Sequence, residues 1–364
     1  MMWNWQDENW PQFQYNQGLL EKEEARFLSE SGFLLGVYQH VRAKDQNLLT
    51  IDLISDEALK TSEIEGEYLN RESLRSSIRK HFGLSTDHRK IPAREAAIAE
   101  MMLDLYQYFR APLTHETLFH WSNLLTQTDY YRAHAEPMQI ISGPIGRPKI
   151  HYEAPPSKDI PAEMDRFITW FNKSEQSLPA LTRASIAHLY FELIHPFEDG
   201  NGRIGRALAQ KALSQSIGRP LLIGLSHIIQ NHKKDYYHQL EMSNRSLDID
   251  AWLAYFAKTI LSAQAYTQKQ IDFLIHKTQF YDHFQNQFNE RQSKTIERLF
   301  REGPAGFKGG LSAENYIRIT GTSRATATRD LQDLVSKQAL TQTGQLKSTR
   351  YQLKLPLLQA NSHF

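Results

Sequence analysis

Apolar residues recur at three- and four-residue intervals along most of the chain, the period of a helix with one buried face. The spacing predicts long helices over residues 19–42 and 45–82, the second with one glycine, Gly66, inside it. It predicts further helices over 93–110, 114–126, 160–173, 180–194, 203–217 and 251–288. One stretch departs from that period. Residues 136–156, EPMQIISGPIGRPKIHYEAPP, hold two short β-like runs, MQII and PKIHY, around a turn rich in Gly and Pro. That pattern reads as a β-hairpin. Near the C-terminus, SKTIERLFRE, SAENYIRITG and SRATATRDLQDLVSKQ precede two β-like runs around Gly344. Three short helices and a hairpin in that order suggest a winged helix-turn-helix. Thr322 or Ser323 would cap its third helix. Arg324, Thr326, Thr328 and Arg329 would stand near that helix's start, where a recognition helix meets the major groove. The fold class expected is mainly α, with one hairpin in the body and a second in the C-terminal module.

Charge separates the two regions. The net charge of the 364 residues is +1, but twelve Lys/Arg and six Asp/Glu from Phe284 onward give that part +6. The remaining 30 basic and 35 acidic residues give −5, so a basic module follows a mildly acidic body. The sequence has no cysteine, which excludes disulfides, thiolate metal sites and a cysteine nucleophile. It fits a reducing cytoplasm, the location expected. The start, MMWNWQDENW, lacks a basic n-region and an apolar h-region, so no signal peptide is expected. Runs such as PLLIGL are too short to span a bilayer, and no membrane partner is expected.

The densest chemistry lies at HPFEDGNGR, residues 195–203, between two apolar segments. Gly200, Asn201 and Gly202 make a turn at a helix start, where backbone N–H groups and the helix dipole form an anion site. Arg203 and Arg206 follow three residues apart, so their guanidiniums converge on it. No G-x-x-x-x-G-K-[ST] motif is present, so this is a phosphate site of another kind. Asp199 adds a hard oxygen ligand, and one carboxylate plus substrate phosphates is a usual way to hold Mg²⁺. A neutral His195 can take a proton from a hydroxyl. Base, metal ligand and anion cradle together suit nucleotidyl or phosphoryl transfer.

HPFEDGNGRIGR resembles the signature of Fic-domain proteins, His-Pro-Phe-x-(Asp/Glu)-Gly-Asn-Gly-Arg-x-x-Arg, at every fixed position. The resemblance spans about Asn47 to Leu261, and WNWQDENWPQFQY is similar to the segment that precedes the core in many bacterial members. It implies that His195 is the general base and that Phe197 anchors the loop. It gives Asp199 the Mg²⁺, Gly200, Asn201 and Gly202 the anion hole, Arg203 the β-phosphate side and Arg206 the γ-phosphate. The implied reaction moves AMP from ATP to a Ser, Thr or Tyr hydroxyl of a protein, the chain itself included. The hairpin around 139–152 resembles the family's target-docking flap, with Gln139, Ile140 and Ile141 on its first strand. NHKKDYY resembles the segment beside the base, which suggests Asn231 and Tyr237. TSEIEG, residues 61–66, fits the inhibitory pattern (Ser/Thr)-x-x-x-Glu-(Gly/Asn), in which Glu65, with Thr61 one turn earlier, pairs with Arg206.

The architecture expected is an N-terminal helical segment with the inhibitory helix (1–90), a Fic core (91–283) and a winged helix-turn-helix (284–364). ATP, Mg²⁺ and a protein target are the expected partners. A homodimer, and DNA or protein contact through the C-terminal module, are further expectations. Two rival functions remain: AMP removal on the same fold, and a DNA-binding regulator whose Fic domain senses nucleotide. Simpler readings compete at single residues. Outside this motif Glu65 would be an ordinary solvated acid. His188 reads as a core or surface histidine, because no H-x-x-x-H pair accompanies it. Glu192-x-x-His195 is half of a di-iron pattern whose second copy is missing. The N-terminal Trp and Tyr cluster reads as packing.

Overall fold

The structure, a computed structural model, describes residues 2–40, 42–84, 91–144 and 147–355. The chain divides into two compact units, one up to Thr267 and one from Gln268. The helices of the first region are α1 (Glu21–His40), α2 (Ala43–Ile64), α3 (Arg71–His81), α4 (Ala93–Gln107) and α5 (His115–Thr126). The hairpin follows as β1 (Gln139–Ser142) and β2 (Lys149–Glu153). Then come α6 (Ile160–Ser174), α7 (Ala180–Ile194), α8 (Asn201–Ile217), α9 (Leu225–Asn231), α10 (Lys233–Met242) and α11 (Asp250–His283).

Every residue of α7 is buried. A helix buried on all sides belongs at the centre of a core, and α8 packs along it. Burial at both ends leaves the terminal N–H and C=O groups of α7 to be satisfied from elsewhere. Pro179 precedes it and offers no side-chain cap. Glu24 of α1 serves instead, accepting from the N–H groups of Leu181 (3.1 Å) and Thr182 (2.9 Å). At the other end, Tyr152 and Arg132 donate to successive carbonyls.

The periodicity over 45–82 does not give one helix. It gives α2 and α3, separated at Gly66, which is left-handed at φ 83°. The N–H of Gly66 donates to the Glu63 carbonyl (3.0 Å) and that of Glu67 to the Ser62 carbonyl (3.0 Å). This is a Schellman C-cap, with glycine in the position that a Cβ disfavours. Asn70 then caps α3 by accepting from the Ser73 N–H (2.9 Å). The break matters because it puts Glu65 at a helix end.

In the hairpin, Gln139 pairs with Glu153, Ile140 with Tyr152, Ile141 with Ile150 and Ser142 with Lys149, with a register shift between Ile140 and Ile141. The N-terminal aromatics brace its base: the Trp3 ring meets Tyr152 edge-on at 5.4 Å, and the Trp5 indole donates to the Glu153 carbonyl (2.6 Å).

The second unit holds α12 (Glu290–Arg301), α13 (Ala313–Thr320), α14 (Arg324–Ser336), β3 (Leu340–Thr343) and β4 (Arg350–Leu353), with β3 and β4 antiparallel. Its core includes Phe280, Phe300, Tyr316, Leu331 and Leu334. Buried Asp330 accepts from the Tyr316 hydroxyl (2.9 Å) and Arg291 Nε (2.8 Å). Gly321 ends α13, and Ser323 caps α14 by accepting from the Thr326 N–H.

Candidate active site

The site forms where α7 ends and α8 begins. His195 closes α7 with a left-handed backbone, φ 49° and ψ 59°. That conformation costs a non-glycine residue about 1–2 kcal/mol, so its surroundings must hold it. Arg132 Nε donates to the His195 carbonyl (2.8 Å), and Nη2 donates to the carbonyls of Ile194 (3.4 Å) and Pro155 (2.5 Å). The Tyr152 hydroxyl donates to the Leu193 carbonyl (2.6 Å). His195 Nδ1 faces the Glu192 carbonyl at 3.3 Å. With Nδ1–H donating there, Nε2 carries the free lone pair. Burial pulls the His195 pKa down to about 4, and Arg132 adds to this, while the Glu192 carbonyl, Glu65 and Asp199 oppose it. The imidazole is therefore neutral near pH 7.

Phe197 is buried and packs against Tyr131, with ring centroids 5.3 Å apart. Asn201 clamps the loop in both directions: its Oδ1 accepts from the Phe197 N–H (3.0 Å) and its Nδ2 donates to the Phe197 carbonyl (2.8 Å). The side chain is thus committed to the loop. What it leaves for a ligand is the backbone N–H end of α8. Gly200, the N-cap, adds no side chain.

Glu65 sits on that cradle. Its Oε1 lies 2.7 Å from Arg206 Nη2. A Cβ at Gly202 would come within 2.4 Å of the same oxygen. Only glycine leaves room there for an anion. Arg206 is buried, and its Nε donates to the Thr61 hydroxyl (2.8 Å) and its Nη2 to the Thr61 carbonyl (3.0 Å). Burial opposes the Arg206 charge, but the attraction of Glu65 outweighs it and raises the pKa. Arg203 Nη1 pairs with Glu67 (2.8 Å) and Nη2 with Asp199 (3.3 Å). The Asp199 side chain is 69% exposed, and its Oδ1 accepts from the Gly200 N–H (2.6 Å).

Thr61, Glu65, His195, Phe197, Asp199, Gly200, Asn201, Gly202, Arg203 and Arg206 thus converge. Tyr237 borders them: burial raises its pKa first, the Glu65 charge second. Asn231 ends α9 exposed. On the hairpin, the Gln139 amide donates across to Glu153 (2.7 Å), while Ile140 and Ile141 are exposed. His188 lies in the core beneath Arg206, stacked on Phe256, with Nε2 2.8 Å from the Tyr236 hydroxyl.

Sequence reasoning missed Arg132, Tyr152, Glu67 and Glu57. Glu57 accepts from Gln210 Nε2 (2.6 Å) and the Ser226 N–H (3.1 Å) and ties α2 to α8 and α9. Among the described residues, no group of three or more His, Asp or Glu side chains is arranged to hold a metal. Asp199 is an accessible carboxylate beside an anion cradle, which fits Mg²⁺ held mainly by phosphate and water. No described helix is long and apolar enough to cross a membrane.

Residues 112–213 match the Fic/DOC family, and residues 3–84 match a domain of unknown function, DUF4172. The protein adenylyltransferase Fic of Drosophila virilis is 27% identical over 224 residues, covering 58% of this chain and 44% of that protein. The same-named protein of Drosophila sechellia is 31% identical over 121 residues, covering 33% and 22%. The chain thus spans less than half the length of these curated relatives. A Fic family protein from Desulfovibrio desulfuricans G20 superposes with a TM-score of 0.50 at 21% identity, covering 91% of this chain and 95% of that one. A Fic domain containing signaling protein from Bacteroides thetaiotaomicron gives 0.51 at 18%, covering 68% and 96%. At those identities the likeness speaks for the fold.

Proposed function

We propose that this chain, a Fic-domain protein, moves AMP from ATP to a Ser, Thr or Tyr hydroxyl of a protein and is restrained by Glu65. The single observation that carries the reading is the Glu65 carboxylate resting at once on Arg206 and on the Gly202 end of α8. A cradle that already accepts an anion is built for one.

The target hydroxyl oxygen attacks the α-phosphorus of ATP, the bond from that phosphorus to the bridging oxygen breaks, and pyrophosphate leaves. His195 Nε2 takes the hydroxyl proton. The N–H groups at the start of α8 bind phosphate oxygens, Arg203 lies toward the β-phosphate and Arg206 toward the γ-phosphate. Asp199 would hold Mg²⁺, which would neutralise charge on the leaving pyrophosphate. The exposed Ile140 and Ile141 edge suits strand addition by the target. With Glu65 on Arg206, the γ-phosphate loses its partner, and the α-phosphate sits out of line.

Transfer from α-phosphate-labelled ATP with Mg²⁺ tests this. Glu65→Gly is expected to raise labelling about 10- to 100-fold, the equivalent of about 1.5–3 kcal/mol for a charge-assisted contact. His195→Ala in the same background abolishes it. An unchanged rate in Glu65→Gly would refute the restraint. The position of Glu65 at the cradle also suits orienting a water, so AMP removal is the second reading. Release of AMP from a labelled protein, lost in Glu65→Gly, would favour it.

A further inference from the structure

We propose that Arg132 is a positioning residue that locks His195 to the root of the β1–β2 hairpin, so that the base and a target docked on that hairpin keep one register. The inference rests on the AMP-transfer reading above.

Arg132 is 2% exposed, and four of its five side-chain N–H groups have acceptors. Two of those acceptors, the carbonyls of Ile194 and His195, lie at the α7 end, and a third, the Ser157 hydroxyl, lies on the chain beyond β2. The fourth, the Pro155 carbonyl, is two residues past the end of β2. The Arg132 N–H also donates to the Pro196 carbonyl (3.0 Å). Among the described residues, no carboxylate lies within ion-pair distance of the guanidinium. Its charge is met by carbonyls at the negative end of α7, and Glu198 adds a longer-range attraction.

The bond to the His195 carbonyl acts on the strained residue itself. Left-handed backbone at a non-glycine site persists only where its surroundings fix it. Tyr152, which pairs with Ile140 inside the hairpin, holds the Leu193 carbonyl. Three successive carbonyls, of residues 193, 194 and 195, are therefore held by one side chain of β2, Tyr152, and by Arg132 on the segment that leads into β1. A purely packing arginine would not select the carbonyl of the base.

The test uses the full chain carrying Glu65→Gly, with Arg132→Gln, Arg132→Lys and Tyr152→Phe added singly. Arg132→Gln is expected to lower kcat about 100-fold, as expected for a misplaced reacting group, with the ATP dissociation constant unchanged by calorimetry. Arg132→Lys keeps the charge without the fork and falls between. Tyr152→Phe removes one hydroxyl and lowers kcat about tenfold, roughly the worth of one hydrogen bond. Equal losses of kcat and ATP affinity, or full kcat in Arg132→Gln and Tyr152→Phe, would overturn the inference. If Arg132→Gln does not fold, Tyr152→Phe and Arg132→Lys decide. Backbone amide and ring resonances of His195 give a readout without turnover. They should move in all three variants while the Trp252 indole stays fixed, and unmoved His195 signals would also overturn it. If the Glu65→Gly parent transfers no AMP, the AMP-transfer reading fails, and the resonances still judge the positioning of His195.

Discussion

At the residue scale, a buried acid lies under the site. Glu192 lies on α7 beneath Arg206, and its Oε1 has no hydrogen-bond partner among the described residues. A Cβ at Gly205 would meet that oxygen at 2.5 Å and His188 Nδ1 at 3.1 Å. Burial raises the Glu192 pKa from 4.5 to about 8, with Arg206 opposing and Glu65 reinforcing the shift. His188, also buried, is pulled down to about 3. Near pH 7 both are neutral, which spares the core two uncompensated charges. The native chain holds a proton on Glu192 that the unfolded chain loses above its ordinary value of 4.5. Stability must then fall as pH rises from about 4.5 to about 8, by up to about 1.4 kcal/mol per pH unit. Glu192→Gln, which stays neutral, should lose that part of the slope. Melting temperatures across pH 5–9 check this, and parallel curves for the two proteins would mean that Glu192 is ionised in the fold.

At the element scale, the end of α2 supplies two acids to two arginines: Glu65 to Arg206 and Glu67 to Arg203. The Schellman turn at Gly66 lets residues two apart reach different partners. The motif on α8 was fully legible in the sequence, because its chemistry is contiguous. So was the Thr61–Glu65 spacing. The break between α2 and α3 was not, because polar residues around a single glycine kept the helical period. Arg132, Tyr152 and Glu24 were invisible for another reason: their partners are carbonyls and N–H groups of α7 between 41 and 158 residues away. No local pattern marks such a partner. Glu67 was within reach of sequence reasoning, since it lies two residues past Glu65. We expect Glu67→Gln to raise labelling less than Glu65→Gly, because Arg203 keeps Asp199. The double variant should exceed either, and a cycle over the four proteins gives the coupling between the clamps. A double variant no faster than Glu65→Gly would make Glu67 a structural contact only.

At the scale of the whole molecule, the charge split poses the remaining question. The part after residue 283 carries +6 against −5 before it. On α14, Arg324, Ala325, Thr328, Arg329 and Gln332 are exposed at spacings of one and three, so they form one stripe, bordered by Asp333, which pairs with Lys337. Buried Asp330 is turned inward to Tyr316 and Arg291. Two arginines, a glutamine and two methyl-bearing residues are the side chains that read base edges in a major groove. A charge of +6 is modest for that task, so the discriminating measurement is whether the binding over a salt series depends on Arg324 and Arg329. If α14 enters DNA, the full chain binds a labelled duplex with an affinity that falls steeply between 50 and 200 mM salt, at a log–log slope of about −0.9 per phosphate contact. Replacing Arg324 or Arg329 with Gln should then weaken binding by about 1–3 kcal/mol at a preferred base. Fluorescence anisotropy over a salt series reads both. Weak binding at 50 mM that vanishes by 200 mM and ignores Arg324 and Arg329 would be counterion attraction alone. The basic unit would then be left to dock the protein that receives AMP, and α14 substitutions should raise KM for that target while leaving kcat unchanged.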